Sequence, residues 1–292
     1  MDSLFDQYVV LVPTILPFGY LAIGWVIFAT YWRLGRPLGA CGKQTEQLGN
    51  FLSAYIHWIV RPLERAAIRS GISPNTVTIS SMTGCAIAGV AVATGHFAIA
   101  TWSYVAAGIL DLVDGRLARA TGRQTESGAF LDSVLDRWGE IFLFSGLAWQ
   151  LQGSWALLAT LLALGGSLMV SYTRARAESL GVMTNGGAMQ RPERIILVSL
   201  GCLVAALADA EPAWAAYVPE VLGTTLAIVG TMSTMTAIGR LRAGYRMLSG
   251  KAPSPRSAES FNADDTPVPS NPSARVLRFR RGKRDRAAGG AS

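Results

Sequence analysis

Seven apolar stretches, at 8–31, 74–95, 97–118, 127–149, 153–173, 193–209 and 219–239, set the terms for any fold of this 292-residue chain. Each is close to the ~20 residues that an α-helix needs to cross the hydrocarbon of a bilayer. In hydrocarbon every backbone N–H and C=O must be satisfied within the protein, and for segments of this length the helix does so. The chain therefore reads as all-α and integral to a membrane. Half of its residues are hydrophobic and only 15% are charged, against about 25% charged in soluble domains.

The net charge of +7 suits either nucleic acid or anionic lipid, and the placement of the charges decides between them. With residue 1 outside, all 26 Lys and Arg fall at or near the cytoplasmic side, as expected of loops retained there. Arg33, Arg36, Lys43, Arg61, Arg65 and Arg69 follow the first span, and Arg240, Arg242 and Arg246 follow the last. The opposite loops, GHFA, WQLQGS and ADAEPAWAAYVPE, hold none. Membrane lipids, not nucleic acid, are the implied surroundings, in the cytoplasmic membrane.

Four regions follow. Residues 1–44 carry an extra N-terminal span and linker; the acidic MDSLFDQ start and the length of the apolar run argue against a cleaved signal. Residues 45–70 have apolar positions at helical spacing, Phe51, Tyr55, Ile59, Leu63 and Ala67, with Arg61, Arg65 and Arg69 on another face. That pattern predicts an amphipathic helix lying in the cytoplasmic interface. Residues 71–247 form the membrane domain. Residues 248–292 turn to Ser, Pro, Asn and Arg without periodicity and read as a disordered basic cytoplasmic tail. Cys41, Cys85 and Cys202 are too scattered for a disulfide framework or a zinc site.

The chemistry concentrates in residues 111–136, DLVDGRLARATGRQTESGAFLDSVLD. Asp111 and Asp114 are three apart and Asp132 and Asp136 four apart, so each pair shares a face of its own helix. Gly122, Ser127 and Gly128 mark a turn between them, making the helices antiparallel and gathering four carboxylates near the cytoplasmic end. Ionisable groups inside a membrane are costly and mark functional sites. Clustered oxygen ligands suit hard cations such as Mg²⁺ or Mn²⁺. Pairing with Arg116, Arg119, Arg123 and Arg137 at a helix end is the alternative, and it accounts for two acids but not for four converging from both helices.

Asp111, Asp114, Gly115, Ala118, Arg119, Gly128, Asp132 and Asp136 stand at the spacing of a known signature, and the stretch resembles the CDP-alcohol phosphotransferases at all eight positions. The resemblance implies a six-helix transmembrane core, to which the first span and the interfacial helix are additions. It implies metal-dependent transfer of a phosphatidyl group from CDP-diacylglycerol to an alcohol with release of CMP, on a site facing the cytoplasm, in a homodimer. Asp111, Asp114, Asp132 and Asp136 are then ligands to two Mg²⁺ or Mn²⁺ ions, and Asp136 is also the proton acceptor. The CDP-lipid is expected along Asn75, Thr76, Val77 and Thr78, with Gly115, Arg119 and Thr125. Taken alone, the Ser73-Pro74-Asn75 run is no more than a good helix start.

For the acceptor, SYTRARAE closes the fifth span and QRPER opens the sixth, bringing Arg174, Arg176, Arg191 and Arg194 to the same side. Clustered arginines suit a phosphorylated acceptor. This pairing is similar to the phosphatidylinositol-phosphate synthase branch, which makes inositol phosphate the leading acceptor and glycerol 3-phosphate the runner-up. Alternatively, these arginines only fix topology and pair with Glu178 and Glu193. A divalent-cation transporter would carry its acids in inverted repeats near the midplane, and no second half of this chain repeats them.

Overall fold

The computed structural model describes residues 26, 29, 30, 58, 60–184 and 186–250. The expected first span, most of the interfacial helix and the basic tail beyond residue 250 lie outside the described residues. Those described are mostly helical and include no strand. A segment helical over 60–69 leads into α1 (Pro74–Ala93), α2 (Phe97–Ala120), α3 (Glu126–Gln150), α4 (Ala156–Ser179), α5 (Arg191–Asp209) and α6 (Val218–Ser249), with a 3-10 turn at Ala215–Tyr217 before α6.

Four of these segments are long and apolar enough to cross a membrane: α1, α2, α4 and Ala215–Ser249. The other two predicted spans, α3 and α5, form as long helices but are more polar: α3 carries Asp132, Asp136, Arg137 and Glu140, and α5 opens on Arg191, Glu193 and Arg194. Several helices also outrun their apolar stretches. α4 continues to Ser179 through the basic turn and α6 to Ser249, because hydrogen bonding along the axis does not stop where hydrophobicity does.

Starts and stops follow local chemistry. Ser73 caps α1, its hydroxyl accepting the Thr76 N–H at 3.2 Å, and Pro74 opens the first turn, where a missing N–H costs nothing. Thr125 caps α3 through the Gly128 N–H at 3.0 Å. Gly122, at φ 64, turns the chain between α2 and α3, a conformation that glycine adopts without penalty.

Helix contacts are made through small residues, as is common where lipid removes the hydrophobic drive for association. On α1 and α3, Gly89 and Gly146 bring backbone against backbone: a Cβ on Gly146 would collide with the Gly89 carbonyl, and one on Gly89 with that of Phe142. Lower on the same seam, a Cβ on Gly139 would lie 3.1 Å from Cys85 Sγ. Ser81 on α1 donates to the Ala107 carbonyl of α2 at 2.9 Å. Gly230 and Gly166 admit α4 and α6 to each other, and Gly201 meets Thr225 of α6. Cys85 and Cys202 are free thiols buried in this core with Leu143, Leu147 and Leu222. Outward, Ile87, Val90, Leu158, Leu161 and Met235 are exposed, as a lipid-facing surface requires. Trp149, Trp155, Trp214 and Tyr217 stand exposed at the helix ends away from the acids, where aromatic rings mark a membrane interface.

The segment 60–69 packs differently from its predicted pattern. Ala67 is buried, but its partner in the core is Val60, and Leu63 stays exposed. The buried face also carries Glu64, whose carboxylate takes the Arg116 guanidinium of α2 at 2.5 Å.

Candidate active site

The α2 and α3 helices meet at their ends near Gly122 and bring Asp111, Asp114 and Asp132 together, with one carboxylate oxygen of each within 4.8 Å of the others. Asp114 is the most buried of them; one oxygen accepts the Gly115 N–H at 2.5 Å and the other, Oδ2, finds no hydrogen-bond partner among the described residues. A buried carboxylate oxygen left without a donor beside two more carboxylates is the donor set of a hard divalent cation. Asp136 stands outside this trio. Arg191, at the start of α5, holds Asp136 at 2.6 Å and reaches Asp111 at 3.4 Å. The acids thus do meet an arginine, although it comes from 55 residues downstream of Asp136 rather than from the neighbouring turn. Arg116 pairs with Glu64, and Arg137 donates to the Ser133 carbonyl.

Two cavities open on either side of Asp132. The first, about 500 Å³, is lined by Asn75, Thr78, Asp114, Gly115, Arg119 and Thr125, together with Arg123 and Gly128. Five of the seven expected donor residues therefore share one surface. Thr76 and Val77 do not: Thr76 bonds Ser73 at the helix cap, and Val77 is buried against Val113 and Leu117. The reason is helical spacing, since residues 75 and 78 share a face that 76 and 77 leave. Gly128 keeps this cavity open, because a Cβ there would lie 3.0 Å from Thr125 Oγ1 and 3.4 Å from Asn75 Oδ1.

The second cavity, about 590 Å³, has Asp132, Asp136, Glu140, Arg174, Arg191 and Arg194 in its wall, and also Arg240. Arg176 is not among its lining residues and stays exposed on the last turn of α4. Arg240 carries no motif beyond its place after the last span. It is nonetheless buried, donating from Nε to the Gly186 carbonyl at 3.1 Å and from Nη1 to that of Val170 at 3.0 Å. Glu140 was equally invisible to the motif, although its spacing of four from Asp136 places it on the same face of α3. Of the glutamates expected to pair with the arginines, Glu178 takes Arg174 at 2.8 Å on the surface, whereas Glu193 accepts the Gln190 N–H at 3.1 Å in a capping box.

Residues 71–236, more than half of the chain, match the CDP-alcohol phosphatidyltransferase family. The chain belongs to that family: it is an integral membrane enzyme of the CDP-alcohol phosphatidyltransferase type. Among its relatives, the phosphatidylinositol phosphate synthase of Mycobacteroides abscessus is 37% identical over 153 residues, which span 50% of this chain and 68% of the relative. That of Streptomyces avermitilis is 31% identical over 240 residues, spanning 78% and 96%. The crystal structure of Mycobacterium tuberculosis phosphatidylinositol phosphate synthase with CDP-DAG bound matches with a TM-score of 0.55 at 30% identity, covering 64% of this chain and 94% of that one. A structure of the same enzyme in complex with manganese and citrate matches with a TM-score of 0.55 at 29% identity, covering 64% and 88%.

Proposed function

We propose that this chain is a phosphatidylinositol phosphate synthase, transferring the phosphatidyl group of CDP-diacylglycerol to a hydroxyl of inositol phosphate with release of CMP. The observation that carries this reading is a shared wall. Ala129 and Asp132 line both cavities, so a donor in the first and an acceptor in the second meet at the acids. The first cavity offers hydroxyl, amide and glycine surfaces with Arg119 and Arg123, which suits a nucleotide diphosphate. The second offers five arginines, Arg137, Arg174, Arg191, Arg194 and Arg240, more than an uncharged polyol would call for. The names of the relatives point to inositol phosphate; glycerol 3-phosphate also presents a phosphate and a hydroxyl and remains the competing substrate.

In this reading Asp111, Asp114 and Asp132 hold divalent metal, with Asp136 completing a two-ion site for Mg²⁺ or Mn²⁺. Metal bound there neutralises the diphosphate and the departing phosphate of CMP. Asp136, released from Arg191, accepts the proton of the attacking hydroxyl. The new bond forms from that oxygen to the phosphorus on the lipid side of the diphosphate, and the bond from that phosphorus to the bridging oxygen breaks. Arg119 steadies a phosphate oxygen of the donor. Arg174, Arg191 and Arg194 attract the acceptor's phosphate, and Arg176, outside the cavity wall, has no direct contact with it.

The charge distribution of the loops supports a cytoplasmic membrane location with the site facing the cytoplasm, and a six-span core in which α3 and α5 cross with their polar ends at that face. Family resemblance supports a homodimer. The test is purified protein in liposomes with CDP-diacylglycerol, Mg²⁺ and each acceptor separately. Inositol phosphate should give CMP and phosphatidylinositol phosphate. CMP release with glycerol 3-phosphate alone would reassign the acceptor, and none with either would refute the reading.

A further inference from the structure

Three arginines of this cavity pair with carboxylates, whereas Arg240 and Arg137 donate to backbone carbonyls. Arg174 pairs with Glu178 near the surface, with both partners at least 40% exposed, and Arg191 lies between Asp136 and Asp111. The deepest pair is Arg194 with Glu140, hydrogen-bonded from Nη2 to Oε1, with relative exposures of 2% and 4%. Removing two charges from water costs several kcal/mol each, and a buried pair is weak evidence for stability. In a membrane helix such a pair points to a role. It is also incompletely satisfied: Arg194 Nε and Nη1 and Glu140 Oε2 have no hydrogen-bond partner among the described residues. Glu140 thus engages a single donor of Arg194, from the same face of α3 that carries Asp132 and Asp136, and both residues line the cavity.

We infer that Glu140 is a positioning residue for the acceptor: it fixes the guanidinium of Arg194 in the cavity wall, so that an incoming phosphate meets a cation already held in place. This rests on the reading of that cavity as the acceptor site. Glu140 itself touches no reacting atom. Its influence passes through Arg194, and losing its charge leaves a buried guanidinium free to turn away.

A double-mutant cycle in the full-length enzyme in nanodiscs separates this role from simple stapling of α3 to α5. Wild type, Glu140→Gln, Arg194→Gln and the double variant are compared for acceptor KM, donor KM and melting temperature. Glu140→Gln should raise the acceptor KM about tenfold, the equivalent of about 1.4 kcal/mol, with the donor KM within about twofold. Arg194→Gln should raise it further, and the double variant should be no worse than Arg194→Gln alone, the signature of residues acting through one contact. Additive effects, a parallel rise in both KM values, or an unchanged or lowered acceptor KM in Glu140→Gln would overturn the proposal. Should Glu140→Gln fail to purify, Glu140→Asp replaces it in the cycle and must show a rise confined to the acceptor. If the wild type uses glycerol 3-phosphate instead of inositol phosphate, the proposed acceptor is wrong, and the same cycle run on that substrate still decides Glu140.

Discussion

The cavity of Asn75 and Thr78 offers, besides Asp114 and Asp132, an amide, hydroxyls and glycines, with Arg119 and Arg123 exposed along it, whereas the cavity of Glu140 and Arg194 holds three arginines already paired with carboxylates. The first can take on a ligand's charge without breaking a protein contact. In the second, an incoming phosphate must share or replace a carboxylate at each paired arginine. Substitutions around the first should therefore subtract contacts one at a time, while substitutions around the second leave a partner charge behind, which costs more. Asp132 belongs to both.

The sharpest way to break the contrast is at that shared wall. Asp132→Asn should lower kcat by about 10³-fold or more, since it removes a charge from the wall of both cavities, and should weaken Mn²⁺ binding measured by electron paramagnetic resonance without substrate. Arg194→Ala should come next, raising the acceptor KM about 30-fold or more in steady-state assays while the donor KM stays within about twofold. Gly128→Ala should act on the other side, its new methyl pressing on Thr125 and Asn75, with a donor KM about tenfold higher, as for a few contacts loosened, and an unchanged acceptor KM. Arg176→Ala should be the mildest, within about twofold on both KM values, because a substitution away from packed contacts has little effect. A large acceptor effect at Arg176 would show that the arginine cavity extends beyond the wall described.

The helix positions were legible because long apolar runs in lipid leave the backbone little choice. Asp111 and Asp114 were legible as a pair because an interval of three on a helix fixes a shared face, whereas the interval of four from Asp132 to Asp136 does not bring Asp136 into the cluster of three. The same spacing argues against grouping Asn75 through Thr78 as one surface, and the structure divides them accordingly. What the sequence did not reveal depends on contacts between distant segments. Nothing near Asp136 announces Arg191, which reaches it from α5, and nothing in the basic end of α6 separates buried Arg240 from ordinary topology-setting arginines. The leading segment shows the same limit: Glu64 lies on its buried side because Arg116 of α2 waits there, a partner that no local periodicity reports.

The backbone contact of Gly89 with Gly146 has a consequence for how this enzyme tolerates different bilayers. When a membrane thins or thickens, its helices tilt to keep their apolar lengths covered. α1 and α3 have no side chains between them at Gly89 and Gly146 to slide or compress, so they lean as one body. Asn75 and Gly128, in the first turns of these two helices, are then expected to keep their spacing as the lipid around them changes in chain length.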